Sequence, residues 1–230
     1  MDQQDLPHAV HLQALTGLAR LNHFTGIARD LYSPIRKVAA DNPSNPIRIL
    51  DVASGSADLP IAWARRAKKE GLQLEITTLD ISGFAIEEQQ RRAAAAGARI
   101  QAIQQDCTTG PLPTGFDVVT NSLFMHHLDD TEVVALMRGM QQAARRRVVI
   151  CDLERSRLNL GLVTIGSQLV SRSKVVHHDA RLSVRGAFNA NEFRRLAERA
   201  TGQFVSVKRL LPCRMLISLE PISDRSETSC

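Results

Sequence analysis

Asp51, Asp80 and Asp106 each close, or all but close, an apolar or β-branched run of the kind that forms a buried strand. In a parallel sheet such strand ends meet at one edge, which brings the carboxylates together. A carboxylate ending the second strand can accept hydrogen bonds from both hydroxyls of a ribose. One ending the third strand, with the Cys107 backbone beside it, can read an adenine amino group. After Asp51 come Ala53-Ser54-Gly55-Ser56-Ala57-Asp58, small residues that let backbone N–H groups approach a ligand closely. The helix expected next adds the free donors of its N-terminus. Singly, each aspartate has an ordinary turn or capping explanation. The ordered series points to a nucleotide-like ligand.

Two histidine pairs add proton chemistry. His126-His127 follows the fourth apolar run, and His177-His178-Asp179 lies in a later polar stretch. A hydroxyl of phenolic acidity, pKa about 10, benefits from a general base such as imidazole, worth roughly 10²–10⁴-fold. Asp179 can orient a neighbouring ring or raise its pKa. His178 is the favoured base or substrate ligand, with His126 second. A capping role for the first pair and a solvated loop for the second are the plain alternatives.

The elements that must carry these residues follow the hydrophobic pattern. Residues 6–40 have helical spacing through Leu12, Leu15, Leu18, Ile27, Leu31, Ile35 and Val38, with Pro34 expected to break or kink the helix. The turn cluster 41–46 separates this segment, a candidate lid, from a first strand over Ile47–Val52. A helix with apolar Ile61, Ala62, Ala64 and Ala67 leads to a second strand, Leu72–Leu79, which ends in Asp80. Ser82-Gly83 opens the next helix, which closes at Gly97. Strands over Arg99–Gln104, Phe116–Ser122 and Arg147–Asp152 follow, with a helix near Asp130–Ala144 before the last. Residues 153–187 interrupt the rhythm as a helical and loop insertion placed to cover the substrate site. Asn189 caps a final helix over Phe193–Ala200, and Phe204–Leu210 and Arg214–Leu219 alternate as an antiparallel pair. The alternation predicts an α/β fold, a mostly parallel sheet with helices on both faces. One domain spans residues 1–222, with 1–42 as the lid and 223–230 as a flexible tail.

Composition narrows the classes. No apolar run approaches the ~18–20 residues of a membrane span, and the polar, acidic start is no secretory signal. The scattered cysteines Cys107, Cys151, Cys213 and Cys230 lack the paired spacing of a zinc site, so no metal is expected, and reduced thiols fit a cytoplasm. A formal charge of +5 leaves nucleic acid open, but an aromatic content of 4% disfavours base stacking. Arg91-Arg92 and Arg145-Arg146-Arg147 read as helix-end charge.

The turn admits two fingerprints. A dinucleotide site wants Gly-x-Gly-x-x-Gly, of which only Gly55 is present. The other is acidic-x-Gly-x-Gly-x-Gly, with Ala53 and Ala57 in two glycine places. On this motif over Ile49–Asp58, Asp80, Asp106 and the stretch Phe116–His127, residues 20–219 resemble the class I S-adenosylmethionine (SAM) methyltransferases. Asn22-His23-Phe24, Cys151-Asp152-Leu153-Glu154-Arg155-Ser156 and 178–185 resemble a narrower bacterial group, associated with polyketide or phenolic-lipid pathways. The resemblance implies a Rossmann-like seven-stranded sheet ordered 3-2-1-4-5-7-6 with strand seven antiparallel. It implies SAM as methyl donor and S-adenosylhomocysteine as product. Asp51, Ala53, Ser54, Gly55, Asp58, Asp80, Ile81, Asp106 and Cys107 would hold the cofactor, with Asn121 or Ser122 near its methionine part. The absence of Asp-Pro-Pro-Tyr or Asn-Pro-Pro-Tyr at Asn121-Ser122-Leu123-Phe124 argues against amine or amide methylation. The expected activity is O-methylation of a phenolic hydroxyl on a small, polyketide-like or lipidic aromatic, by a monomer or homodimer. C-methylation of a quinone precursor, non-catalytic SAM binding and a nicotinamide oxidoreductase are the rivals.

Overall fold

The computed structural model describes residues 26–41, 45–170 and 181–221. Helix α1 (Ile27–Ala40) precedes the sheet and buries Ile27, Leu31, Tyr32, Ile35 and Val38. Strand β1 (Ile47–Val52), helix α2 (Asp58–Lys69), strand β2 (Leu74–Asp80), helix α3 (Gly83–Ala95) and strand β3 (Ile100–Gln104) form the first half. Strand β4 (Phe116–Ser122), a 3-10 turn (Met125–His127), helix α4 (Asp130–Ala143) and strand β5 (Ala144–Leu153) continue it. Helix α5 (Arg157–Val170) leaves the sheet edge, and the described chain resumes in a helical stretch over 181–186. Helix α6 (Ala190–Thr201) and strands β6 (Val207–Leu210) and β7 (Arg214–Leu219) complete the fold.

The sheet order is β3-β2-β1-β4-β5-β7-β6. Strands β1 to β5 pair in parallel, and β7 lies antiparallel between β5 and β6. This is the order that the resemblance implied. Alternating residues divide the core in two. Ile49, Val118, Val149 and Cys151 face α1 and α2, around Trp63. Leu50, Val119, Val148 and Ile150 face α4 and α6, with Met137 and Phe193. Burial on both faces explains why these strands read as nearly continuous apolar runs.

The structure corrects several expectations. Helix α1 runs through Pro34 instead of breaking there. Proline removes one bond to the preceding turn, and the burial of Leu31, Ile35 and Val38 outweighs it. The inward face of α2 is Leu59, Ile61, Trp63 and Ala67, while Ala62 is exposed. Arg145-Arg146-Arg147 belong to β5, which begins at Ala144, not to a helix end. Arg146 pairs with Asp117, and Arg147 with Glu220, so edge contacts carry those charges. The second, third and sixth strands start later than expected, at Leu74, Ile100 and Val207. Phe204 is 83% exposed, outside any strand. The expected helix at 6–25, His178 and the expected tail lie outside the described residues.

The fold delivers the segments that follow β1 to β5 to one carboxyl edge, the turns after β1 and β4 among them. Beyond β5, Glu154 bridges Phe188 and Arg155 N–H donates to the Phe188 carbonyl at 2.9 Å. The Arg155 guanidinium also grips the Glu192 carboxylate at 2.6 and 2.8 Å, so the end of the insertion is fastened to the sheet edge.

Candidate active site

The β1 turn is built around a buried carboxylate. Asp51 is 1% exposed and lies in β1 between Thr78 of β2 and Thr120 of β4. It accepts from Thr120 Oγ1 at 2.6 Å and from Ser54 Oγ at 2.6 Å. Burial pushes its pKa up to about 6 against the pull of those hydrogen bonds, with the Asp58 and Asp80 charges adding to the rise. Asp51 therefore acts on the turn, through Ser54, from inside the sheet.

Ala53, Gly55 and Ala57 all have left-handed backbone, with φ of 54°, 54° and 55°. Gly55 takes this conformation freely, whereas it costs each alanine roughly 1–2 kcal/mol. The turn holds because its polar groups are tied on every side. Ser54 N–H donates to the Leu79 carbonyl at 3.0 Å and Ala57 N–H to the Ser54 carbonyl at 3.0 Å. Gly55 N–H donates to Asp80 Oδ2 at 2.8 Å. The Gly55 carbonyl accepts from Gln89 Nε2 at 2.8 Å. Asp58 opens α2 and accepts from Ser56 Oγ at 3.2 Å.

Asp80 ends β2 and also accepts the Ser82 N–H at 3.0 Å. A carboxylate has room for several donors, so ribose hydroxyls fit the same group. Ile81 beside it is 56% exposed, an apolar surface where a purine face can rest. Asp106 stands two residues past β3 and accepts from Thr108 N–H and Oγ1 at 2.8 and 2.7 Å. Burial and the Asp106 charge push the Cys107 thiol up to about 12, so it stays protonated, and its backbone is the group left to recognise a ligand. Asn121 and Ser122 end β4. Asn121 is fully buried and donates to the Val52 carbonyl at 2.9 Å, while its Oδ1 has no partner among the described residues. An orphaned acceptor at this edge suits a cationic amine donor.

A second cluster follows β4. His126 Nδ1 lies 2.7 Å from Asp152 Oδ1, and the His126 backbone N–H donates to Asp152 Oδ2 at 2.9 Å. The ionised carboxylate only accepts, so Nδ1 carries the proton and Nε2 is the ring's basic atom. Leu153 N–H donates to the same carboxylate at 2.7 Å, which fixes Asp152 at the end of β5. The His126 side chain is 4% exposed, in a setting that strengthens such bonds. Its ring packs 4.1 Å from that of His127, which is exposed. A Cβ at Gly186 would fall 2.9 Å from the His126 carbonyl oxygen, so only glycine lets the 181–186 segment approach this turn. Reasoning from single residues singled out His126 but not Asp152 as its partner. An acid ending the fifth strand is the signal that could have found it.

Residues 49–147 match a family described as a methyltransferase domain. No curated protein matches the sequence. Among solved structures, the SAH-bound magnesium protoporphyrin IX methyltransferase of Synechocystis PCC 6803 superposes with a TM-score of 0.57 at 17% identity, covering 85% of this chain and 83% of that one. A proposed O-methyltransferase from Nostoc punctiforme PCC 73102 gives 0.64 at 17%, covering 94% of this chain and 62% of that one. The plantazolicin methyltransferase, crystallised with a monoazolic desmethylPZN analogue and SAH, gives 0.59 at 14%, covering 90% of this chain and 84% of that one. At these identities the likeness establishes the fold.

Proposed function

From the match of residues 49–147 to a methyltransferase domain, we propose that the chain transfers a methyl group from SAM to a small molecule, with a phenolic hydroxyl on a polyketide-like or lipidic aromatic as acceptor. When bound, the cofactor supplies an electrophilic methyl group on a sulfonium. Asp80 takes the ribose hydroxyls, and Ile81 flanks the adenine. Asp106 and the Cys107 backbone read its amino group. The turn from Ala53 to Asp58 lies along the cofactor and is steadied by Asp51. Asn121 Oδ1 accepts from the ammonium of its methionine part, with Ser122 beside it.

The observation that carries the O-methylation reading is the His126–Asp152 pair, 2.7 Å apart at the carboxyl edge. Asp152 holds the ring with Nε2 as acceptor, and Nε2 removes the acceptor's hydroxyl proton as its oxygen becomes nucleophilic. Alignment of that oxygen contributes further, up to about 7–11 kcal/mol for an ideally held pair. His178 is the second histidine proposed for proton removal or acceptor binding. A monomer or homodimer in a cytoplasm is the setting that this reading carries. Among the described residues no helix is long and apolar enough to cross a membrane.

Calorimetric titration with SAM, S-adenosylhomocysteine and NADH, repeated on Asp80→Ala, tests the cofactor. The expected result is micromolar binding of the first two and its loss in the variant. Binding of NADH alone overturns the reading. With phenolic acceptors, His126→Ala is expected to reduce kcat by roughly 10²–10⁴-fold while cofactor affinity holds. Full turnover in His126→Ala and in His178→Ala would remove both from proton transfer. Cofactor binding without product from any acceptor would favour a binding protein.

A further inference from the structure

The two alanines pose a question that their positions alone do not answer. The turn after β1 is left-handed at Ala53 and Ala57, where L-side chains resist that backbone. Something outside the turn must hold it there. Asp51, through Ser54, and Asp80 each take part, and the third side chain in a position to do so is Gln89, on α3, which is fully buried.

Both ends of the Gln89 amide are committed. Its Oε1 accepts from Thr78 Oγ1 at 2.6 Å, which ties it to the middle of β2. Its Nε2 donates to the Gly55 carbonyl at 2.8 Å, at the centre of the turn and between the two alanines. Thr78 is itself fully buried and paired across the sheet with Asp51. The amide is thus a rigid strut from the sheet to the turn. It meets the Gly55 carbonyl while Asp80 Oδ2 meets the Gly55 N–H, so the peptide groups on both sides of Gly55 are fixed. The bond to Gly55 is part-buried, but the Gln89 amide that makes it is fully buried, so removing that amide leaves Thr78 Oγ1 without its buried partner and the turn without its tie to the sheet.

We propose that Gln89 is a positioning residue for the cofactor: it clamps the Gly55 carbonyl and so holds the turn in the left-handed form that Ala53 and Ala57 oppose. The inference rests on the reading of this turn as the cofactor loop. It makes a distinct demand, because the need for Gln89 arises from the alanines. Restoring glycine at both positions should remove that need.

The test is a cycle of three variants against the unaltered chain: Gln89→Met, Ala53→Gly with Ala57→Gly, and all three together. Methionine keeps the volume and removes both hydrogen bonds, which guards against simple collapse of the site. S-adenosylhomocysteine affinity is measured by calorimetry, and backbone exchange at Gly55 and Ala57 by hydrogen–deuterium mass spectrometry. Gln89→Met is expected to weaken binding by about tenfold or more and to speed exchange of the turn. The triple variant is expected to recover affinity to within about threefold of the parent, and its protection with it. Unchanged affinity and exchange in Gln89→Met would overturn the proposal. So would a loss that the glycines fail to rescue, which would make Gln89 a core-packing residue only. Should the unaltered chain bind no S-adenosylhomocysteine, the cofactor reading fails, and the exchange cycle still decides for or against the clamp.

Discussion

At the scale of single residues, Asp51 has the clearest consequence. Its pKa is 3.8 when solvated and about 6 in the folded chain, because burial disfavours its charge. The folded state therefore holds the proton more tightly than the unfolded one. The stability this contributes is fully present below pH 3.8 and lost as pH rises through about 6, roughly 3 kcal/mol over the range. Asp51→Asn removes that dependence. Urea unfolding of the two proteins between pH 4.5 and 8, at one fixed ionic strength so that screening is constant, is expected to show the parent gaining stability relative to the variant as pH falls toward 4.5. A constant difference would mean that Asp51 is solvated or compensated in solution. The same group explains why the turn after β1 is an expensive structure. A buried charge and two left-handed alanines are held together by Ser54, Thr120 and Gln89.

At the scale of elements, the site depends on how segments dock at the carboxyl edge. The 181–186 segment touches the turn after β4 through Gly186, against the His126 carbonyl. Gly186→Ala places a Cβ against backbone, which cannot swing aside as a side-chain tip would. Overpacking of this kind costs about 1–3 kcal/mol. The expected outcome is that loss in urea unfolding, together with a fall in kcat and an unaltered S-adenosylhomocysteine affinity, since the turn after β1 is not touched. An equal loss of cofactor affinity would show that the two loops move as one. Helix α6 gives the returning chain its fixed start, through the capping box between Asn189 and Glu192. Glu192 has a second duty there, as the partner of Arg155 beyond β5.

At the scale of the whole molecule, helix α1 completes one face of the sheet. It covers Ile49, Val118, Val149 and Cys151 with Ile27, Leu31, Tyr32 and Ile35, and Trp63 Nε1 donates to the Ala28 carbonyl at 2.9 Å. A chain beginning after residue 41 would expose that face as one apolar patch. It is expected to aggregate or to bind a hydrophobic dye strongly, and a soluble, cooperatively unfolding product would refute this role for α1. The runs that form β1 to β5, the acids Asp51, Asp80 and Asp106, and the small-residue turn were legible in the sequence because they are local patterns. Strand periodicity and short-range spacing carry them without knowledge of what lies across the sheet. The continuity of α1 through Pro34 was not legible, because burial against the sheet decides it. His126 meets Asp152 across 26 positions, and Gln89 meets Gly55 across 34. Those contacts depend on which strands become neighbours and where their loops turn. By itself the sequence determined a mostly parallel α/β sheet whose carboxyl edge carries a series of acids and a small-residue turn. Only the tertiary structure decided which side chains hold that edge in shape, since a hydrogen bond needs its two groups within about 3 Å, and only the folded chain sets that distance.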